Sequence, residues 1–195
     1  DPKTNPIITP RSDKWAWKIA KTIVQIADAN HHELISHLGL THLLIEPFAI
    51  ATERQLAQDH PLGILLREHF KGTLFINDQA QNFLIGSGQP ADELLAGTVT
   101  LSANAIQKFH FDQNLLHDTF KNRRVMDKSL AYPYRDDALM IWDAIHQWVS
   151  AYLSIYYTDD KTVHDDNELQ HWVKEIGEEG RIKGVGTFGR INERA

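Results

Sequence analysis

The chain has 195 residues, a mass of 22.3 kDa, a formal net charge of −6 and no cysteine. That length supports one substantial core with a loosely attached flank. The acidic balance argues against nucleic acid as the main partner and against strong electrostatic capture by anionic membranes. Without cysteine there is no disulfide framework and no thiolate site, so any metal must be held by nitrogen and oxygen. No apolar run of membrane-spanning length and no signal-peptide pattern is expected.

The opening "DPKTNPIITPRSD" (1–13) reads as an extended lead-in, with Ser12 or Asp13 placed to cap the helix that follows. From Lys14 to about Gln58 only Pro47 interrupts a helical pattern. Ala16, Ala20, Ile23, Ala27 and Leu34 form its expected inward stripe. The run is long for a globular helix. It reads as a central helix, buried over much of its surface and bent where Pro47 removes a backbone donor.

"HPLGILLREHF" (60–70) reads as a turn and a short apolar segment, and 79–120 as several short helices broken by "GSGQP". "YPYRDDALMIWDAIHQWVSAYLSIYY" (132–157) begins with a turn and continues as an amphipathic helix. Its apolar positions are Ala138, Ile141, Trp142, Ile145, Trp148, Val149, Tyr152 and Ile155. "DDNELQHWVKEIGEEG" (165–180) reads as a capped helix ended by glycine. There is no internal repeat and few strands are expected. The fold class is mainly α, with one body spanning 14–195.

"HHELISHLGLTH" (31–42) places His32, His37 and His42 at intervals of five. On an α-helix five residues advance the azimuth to about 140° from the starting face, so two such imidazoles could not share one ion. A helix loosened to i→i+5 bonding brings them to one side, and such bulges concentrate at functional sites. The spacing therefore fits a π-bulge stabilised by a metal bond. The alternative is that these are ordinary hydrogen-bonded histidines, since the chain holds 11 of them. Two familiar motifs are near misses. A zinc-protease helix needs histidines four apart around a glutamate. A di-iron bundle uses Glu-x-x-His. Here Ser36 stands where the zinc-protease motif requires its second histidine, and Glu33 to His37 is one residue too long for the di-iron motif. "GVGTFG" (184–189) matches a dinucleotide fingerprint in form only, because it follows no strand, and reads as a surface loop.

"HHELISHLGLTHLLIEPFAIATERQLAQDHPLGILLREHF" resembles the iron-binding region of lipoxygenases, and looks most like the compact bacterial members. The likeness extends upstream through "WKIAKTIVQIADAN" and downstream through "YPYRDDALMIWDAI" and "NELQHWVKEI", covering nearly the whole chain. It implies a non-haem iron (Fe2+/Fe3+) bound by His37 and His42, with His32 as a neighbour. It also implies that Glu33 orients the ligand helix by linking it to another helix. In "INDQAQNFLI" it implies that Ala80 influences where oxygen meets substrate and that Leu84 clamps the fatty chain. Leu94 and Leu95 match positions that set pocket depth. For the three leucines, plain core packing stays open, because pocket lining and core look alike in sequence.

The sequence departs from the family pattern at Gly39 and Leu40, where a larger apolar residue and a polar one are usual, and at Glu68, where proline is common. The family draws further ligands from later helices and a terminal carboxylate. Neither His171 nor Ala195 matches those positions, so the chain reads as part of a larger catalytic domain, a segment that would bind iron weakly and turn over nothing by itself.

The resemblance implies dioxygenation of polyunsaturated fatty acids. Hydrogen leaves the methylene between two cis double bonds, and O2 adds to the radical to give a hydroperoxide. The expected partners are a linoleate-like fatty acid, O2 and the remainder of the domain. Cytoplasmic placement with peripheral membrane contact is expected. Ala80 leans towards S products. Two rivals stand: a lipid-binding or interaction fragment without turnover, and a zinc hydrolase, which the histidine spacing disfavours.

Overall fold

Helix α1 (Lys14–His31) begins where the Asp13 carboxylate accepts from the N–H groups of Trp15 and Ala16, so Asp13 and not Ser12 is the cap. The computed structural model describes residues 6–97, 99–179 and 182–183. The first five residues, the "GVGTFG" loop, Ala195 and the glycine expected to end the helix at 180 lie outside them. From α1 the helix runs without a break into a π-helical segment (His32–Leu43) and then α2 (Leu44–Gln55), stopping three residues short of the expected end. Pro47 sits inside α2, as the sequence requires.

This run of 42 residues contains an 18-residue window of mean hydropathy 1.4, long and apolar enough to cross a membrane, which corrects the expectation that none exists. Its apolar character serves packing in the second half, where Leu34, Leu44, Phe48, Ala49 and Ala51 are buried. The first half differs from expectation. No residue of α1 is buried, and Ile23 is 61 % exposed. Of the predicted inward stripe only Leu34 is buried, because cross-packing begins near Asn30, whose amide oxygen accepts from the Ala96 N–H.

Residues 61–70 form a true helix, α3 (Pro61–Phe70), where the sequence suggested a turn. Pro61 opens it, and the His60 ring caps it by accepting from Leu62 and Gly63 N–H. Arg67 of α3 donates to the carbonyls of Leu56 and Ala57, satisfying the end of α2. Then follow α4 (Thr73–Phe83), α5 (Pro90–Leu94), α6 (Val99–Lys108) and α7 (Leu116–Asn122), the expected series of short helices. Helix α8 (Pro133–Leu153) is the predicted long one, yet Ile141, Ile145 and Trp148 are exposed along it. Helices α9 (Asp160–Asp165) and α10 (Asn167–Lys174) follow, and Glu175–Glu179 continues as a second π segment. Among the described residues there is no strand, only a parallel bridge between His110 and Lys183.

The core lies where α2 meets α10. Leu44, Phe48, Ala51, Leu56, Trp172, Ile176 and Ile182 pack together. The Phe48 and Trp172 rings meet edge-on with centroids 6.0 Å apart. Burying one such side chain contributes about 1.5–3 kcal/mol. The Trp172 indole N–H donates to the buried Thr52 hydroxyl at 2.9 Å, so the packing costs no unpaired polar group. This contact ties α10 to α2, which directly follows the histidine-bearing segment.

Candidate metal centre

The wide register of the π segment places its histidines. The Leu44 N–H bonds back to the Gly39 carbonyl, five residues earlier. His37 and His42, also five apart, come to the same side, with ring centroids 4.9 Å apart and Nε2 to Nε2 at 3.2 Å. His32 lies one step further along this side and stacks over His37 at 5.8 Å, without reaching His42.

Each facing imidazole is fixed through its other nitrogen. His37 Nδ1 meets Glu33 Oε2 at 3.0 Å, and the other carboxylate oxygen meets His32 Nδ1 at 3.0 Å. Hydrogen bonds from His37 and His32 hold the Glu33 carboxyl below its ordinary range. Both Glu33 oxygens are thus engaged within its own helix. The bridge to another helix implied for this position is not among the described contacts. His42 Nδ1 meets Asn77 Oδ1 at 3.0 Å. In the tautomers whose Nδ1–H groups donate to Glu33 and Asn77, both Nε2 atoms are left as acceptors 3.2 Å apart, an arrangement that a cation between them would satisfy.

The donor set suits a first-row metal, because neutral imidazole is a good ligand and outer hydrogen bonds orient it. Among the described residues no group of three or more His, Cys, Asp or Glu is placed to hold a metal, so the facing imidazoles are the candidate donors. His171 lies on α10 and is not among the residues lining the cavity beside the pair.

Beside the pair lies an apolar cavity of about 510 Å³. Its lining includes Glu33, His37 and His42 together with Ala80, Leu84, Leu94 and Leu95. The candidate ligands, Glu33, Ala80 and the three leucines thus line one cavity, whereas His32 is not part of its lining. Among the described residues the three leucines are not in the buried core: Leu84 is 48 % and Leu94 82 % exposed, and Leu95 is half-buried. Leu34, Leu38, Ile76, Ile85 and Ala91 complete the apolar wall and were not anticipated. Their apolar character was visible, but it does not distinguish a wall from a core.

Asn77 was also missed. It is buried on α4 and lies 35 residues from the histidine that it bonds, so no local spacing reveals it. Gly39, read as a departure beside the ligands, is buried where α6 crosses the π segment. A Cβ there would lie 3.3 Å from the Leu34 carbonyl and 3.4 Å from Ser102 Cα. The Ser102 hydroxyl donates to that same Leu34 carbonyl. The small residue lets α6 approach a stretch whose wide register loosens its own hydrogen bonding. Leu40 packs against the main core, and Glu68 stands exposed on α3, 3.7 Å from Lys71.

The family model named Lipoxygenase matches residues 2–183. Linoleate 9/13-lipoxygenase of Pseudomonas aeruginosa is 40 % identical over 196 residues, covering 94 % of this chain and 28 % of its own length. Polyunsaturated fatty acid lipoxygenase ALOX15B of Homo sapiens is 41 % identical over 180 residues, covering 90 % and 26 %. Among solved structures, a lipoxygenase variant in complex with arachidonate superposes with a TM-score of 0.84 at 36 % identity, over 89 % of this chain and 27 % of that one. Coral 8R-lipoxygenase gives 0.83 at 36 %, over 88 % and 27 %. The chain belongs to the lipoxygenase family. It spans about a quarter of the length of the relatives it matches.

Proposed function

We propose that this chain supplies two iron ligands and one wall of the substrate channel in a dioxygenase of polyunsaturated fatty acids. The observation that carries the reading is the pair of imidazole Nε2 atoms 3.2 Å apart, set against an apolar cavity. His37 and His42, themselves oriented by Glu33 and Asn77, would hold a non-haem iron. When bound, that iron supplies the redox capacity for hydrogen abstraction from a bis-allylic methylene and for reaction with O2.

The chain's own residues do the positioning. The leucine-lined wall takes a hydrocarbon chain by burial of apolar surface and excludes water from it. Leu84 presses the chain towards the imidazoles. Ala80, small and half-buried on the same wall, leaves room for O2 to reach one stretch of the substrate. Orientation of this kind contributes a large part of such rate enhancements.

The test is linoleate turnover by the full-length protein, with metal analysis of the same sample. Conjugated-diene hydroperoxide together with bound iron supports the reading. Zinc in place of iron and no diene contradicts it. A second reading, a lipid-binding module without turnover, draws on the two-donor set among the described residues. It is separated by linoleate binding without product.

A further inference from the structure

We infer that Asn77 and Glu46 are positioning residues for His42: Glu46 turns the Asn77 amide so that its oxygen receives the His42 Nδ1–H, which leaves Nε2 as the lone pair facing His37. The inference rests on the reading that these imidazoles hold a metal.

Asn77 is 4 % exposed between the more exposed Ile76 and Asp78, so its polar atoms need partners in the protein. All are found. Oδ1 lies 3.0 Å from His42 Nδ1, and Nδ2 lies 3.2 Å from the His42 carbonyl and 2.6 Å from Glu46 Oε2. An isolated asparagine could sit either way round. This one cannot, because a carboxylate only accepts, and the reversed amide would set oxygen against oxygen. The fixed amide then admits one tautomer of His42.

The backbone adds a reason for the contact. Pro47 has no N–H to reach back to Leu43 or, in the wide register, to His42. Asn77 Nδ2 supplies a donor to the His42 carbonyl at this turn. One side chain from α4 thus secures both the ring and the backbone of His42. His37 is held differently, by the half-exposed Glu33 carboxylate of its own helix. Water can stand in for Glu33, but not for the buried amide. Loss of Asn77 is therefore expected to cost more metal retention than loss of Glu33.

The test uses the full-length, iron-loaded protein and follows the rate at which a chelator removes iron, with thermal unfolding alongside. Asn77→Asp sets two carboxylates together and is expected to release iron about 10- to 100-fold faster. Glu46→Leu frees the amide to turn and is expected to speed release by a smaller factor. Joining Asn77→Asp with Glu46→Gln restores a donor opposite an acceptor and is expected to recover most of the loss, which a merely structural role would not do. Unchanged release in Asn77→Asp or Glu46→Leu overturns the inference, as does a double variant no better than Asn77→Asp. Should Asn77→Asp not fold, Glu46→Leu decides alone. His37→Ala separates the two layers. If it retains iron, the metal reading fails. If it loses iron while Asn77→Asp does not, only the inference about Asn77 and Glu46 fails.

Discussion

Gly39 of the π segment and Ser102 of α6 touch where the two elements cross, with the Gly39 Cα hydrogen directed at the Ser102 backbone. The crossing supports the π segment from outside, since the Ser102 hydroxyl donates to the carbonyl of Leu34, three residues before His37. A single methyl at position 39 would sit 3.3–3.4 Å from three backbone atoms.

Gly39→Val is accordingly expected to destabilise the full-length protein by about 1–3 kcal/mol, the usual range for overpacking. Its iron content should fall with it, because the turn that sets the imidazole spacing must shift. Thermal unfolding and metal analysis check both. Gly39→Ala should lie between the parent and the valine variant.

Trp172→Ala is expected to cost about 3–5 kcal/mol, as for other large-to-small changes in cores. It empties the space against Phe48 and leaves the Thr52 hydroxyl without its donor. Trp172→Phe retains most of the packing and loses the hydrogen bond, so it should cost about 1 kcal/mol plus a packing term. Denaturant melts of both variants give the comparison.

On the cavity wall, Ala80→Gly removes the methyl nearest the proposed oxygen path and Leu84→Ala removes the bulk that presses on the hydrocarbon. The first is expected to change the distribution of oxygenated carbons and their chirality with little loss of rate. The second is expected to lower kcat/KM for linoleate by about 10-fold or more, the scale of losing buried apolar contact and alignment. Chiral-phase product analysis and steady-state kinetics read the two effects separately.

Asp166 and Tyr157 set limits on the pH range of stability. Burial pushes the Asp166 carboxyl up, but hydrogen bonds from the Leu169 N–H, Tyr157 and His60 outweigh it and hold the group below its ordinary value. A depressed carboxyl contributes stability above the unfolded value of about 3.9 and loses it as pH falls through the folded one. Burial and the bond to Asp166 push the Tyr157 phenol up. Its contribution is complete below about 10 and is lost as pH rises beyond that. Asp166→Asn is expected to flatten both limbs of a stability–pH curve measured by denaturant unfolding, because it removes the charge that Tyr157 and His60 face.

The histidine spacing made the π segment legible, since five-residue intervals serve no purpose on a regular helix. The long central helix, Pro47 and α8 were legible from periodicity. Periodicity tells which face of a helix is apolar but not whether another element covers it. That is why Ile23, read as facing inward, and Ile141 and Trp148, on the apolar face of α8, are exposed among the described residues. Helix α3 was misread because Pro61 and Gly63 resemble a turn. The proline is in fact the first helical residue, and the cap is a histidine, a residue type seldom counted among caps. Asn77 was invisible for another reason. Its partners, His42 and Glu46, belong to a helix 31 to 35 residues away, and only the packing of α4 against the π segment joins them.

The most direct test of the central claim is the metal content of the full-length protein, measured beside His37→Ala and His42→Ala. Near-stoichiometric iron in the parent is expected, with loss of nearly all of it in both variants while the fold is retained. Variants that keep the parent's iron, or a parent that holds none after reconstitution, would contradict the claim that the two facing imidazoles are iron ligands.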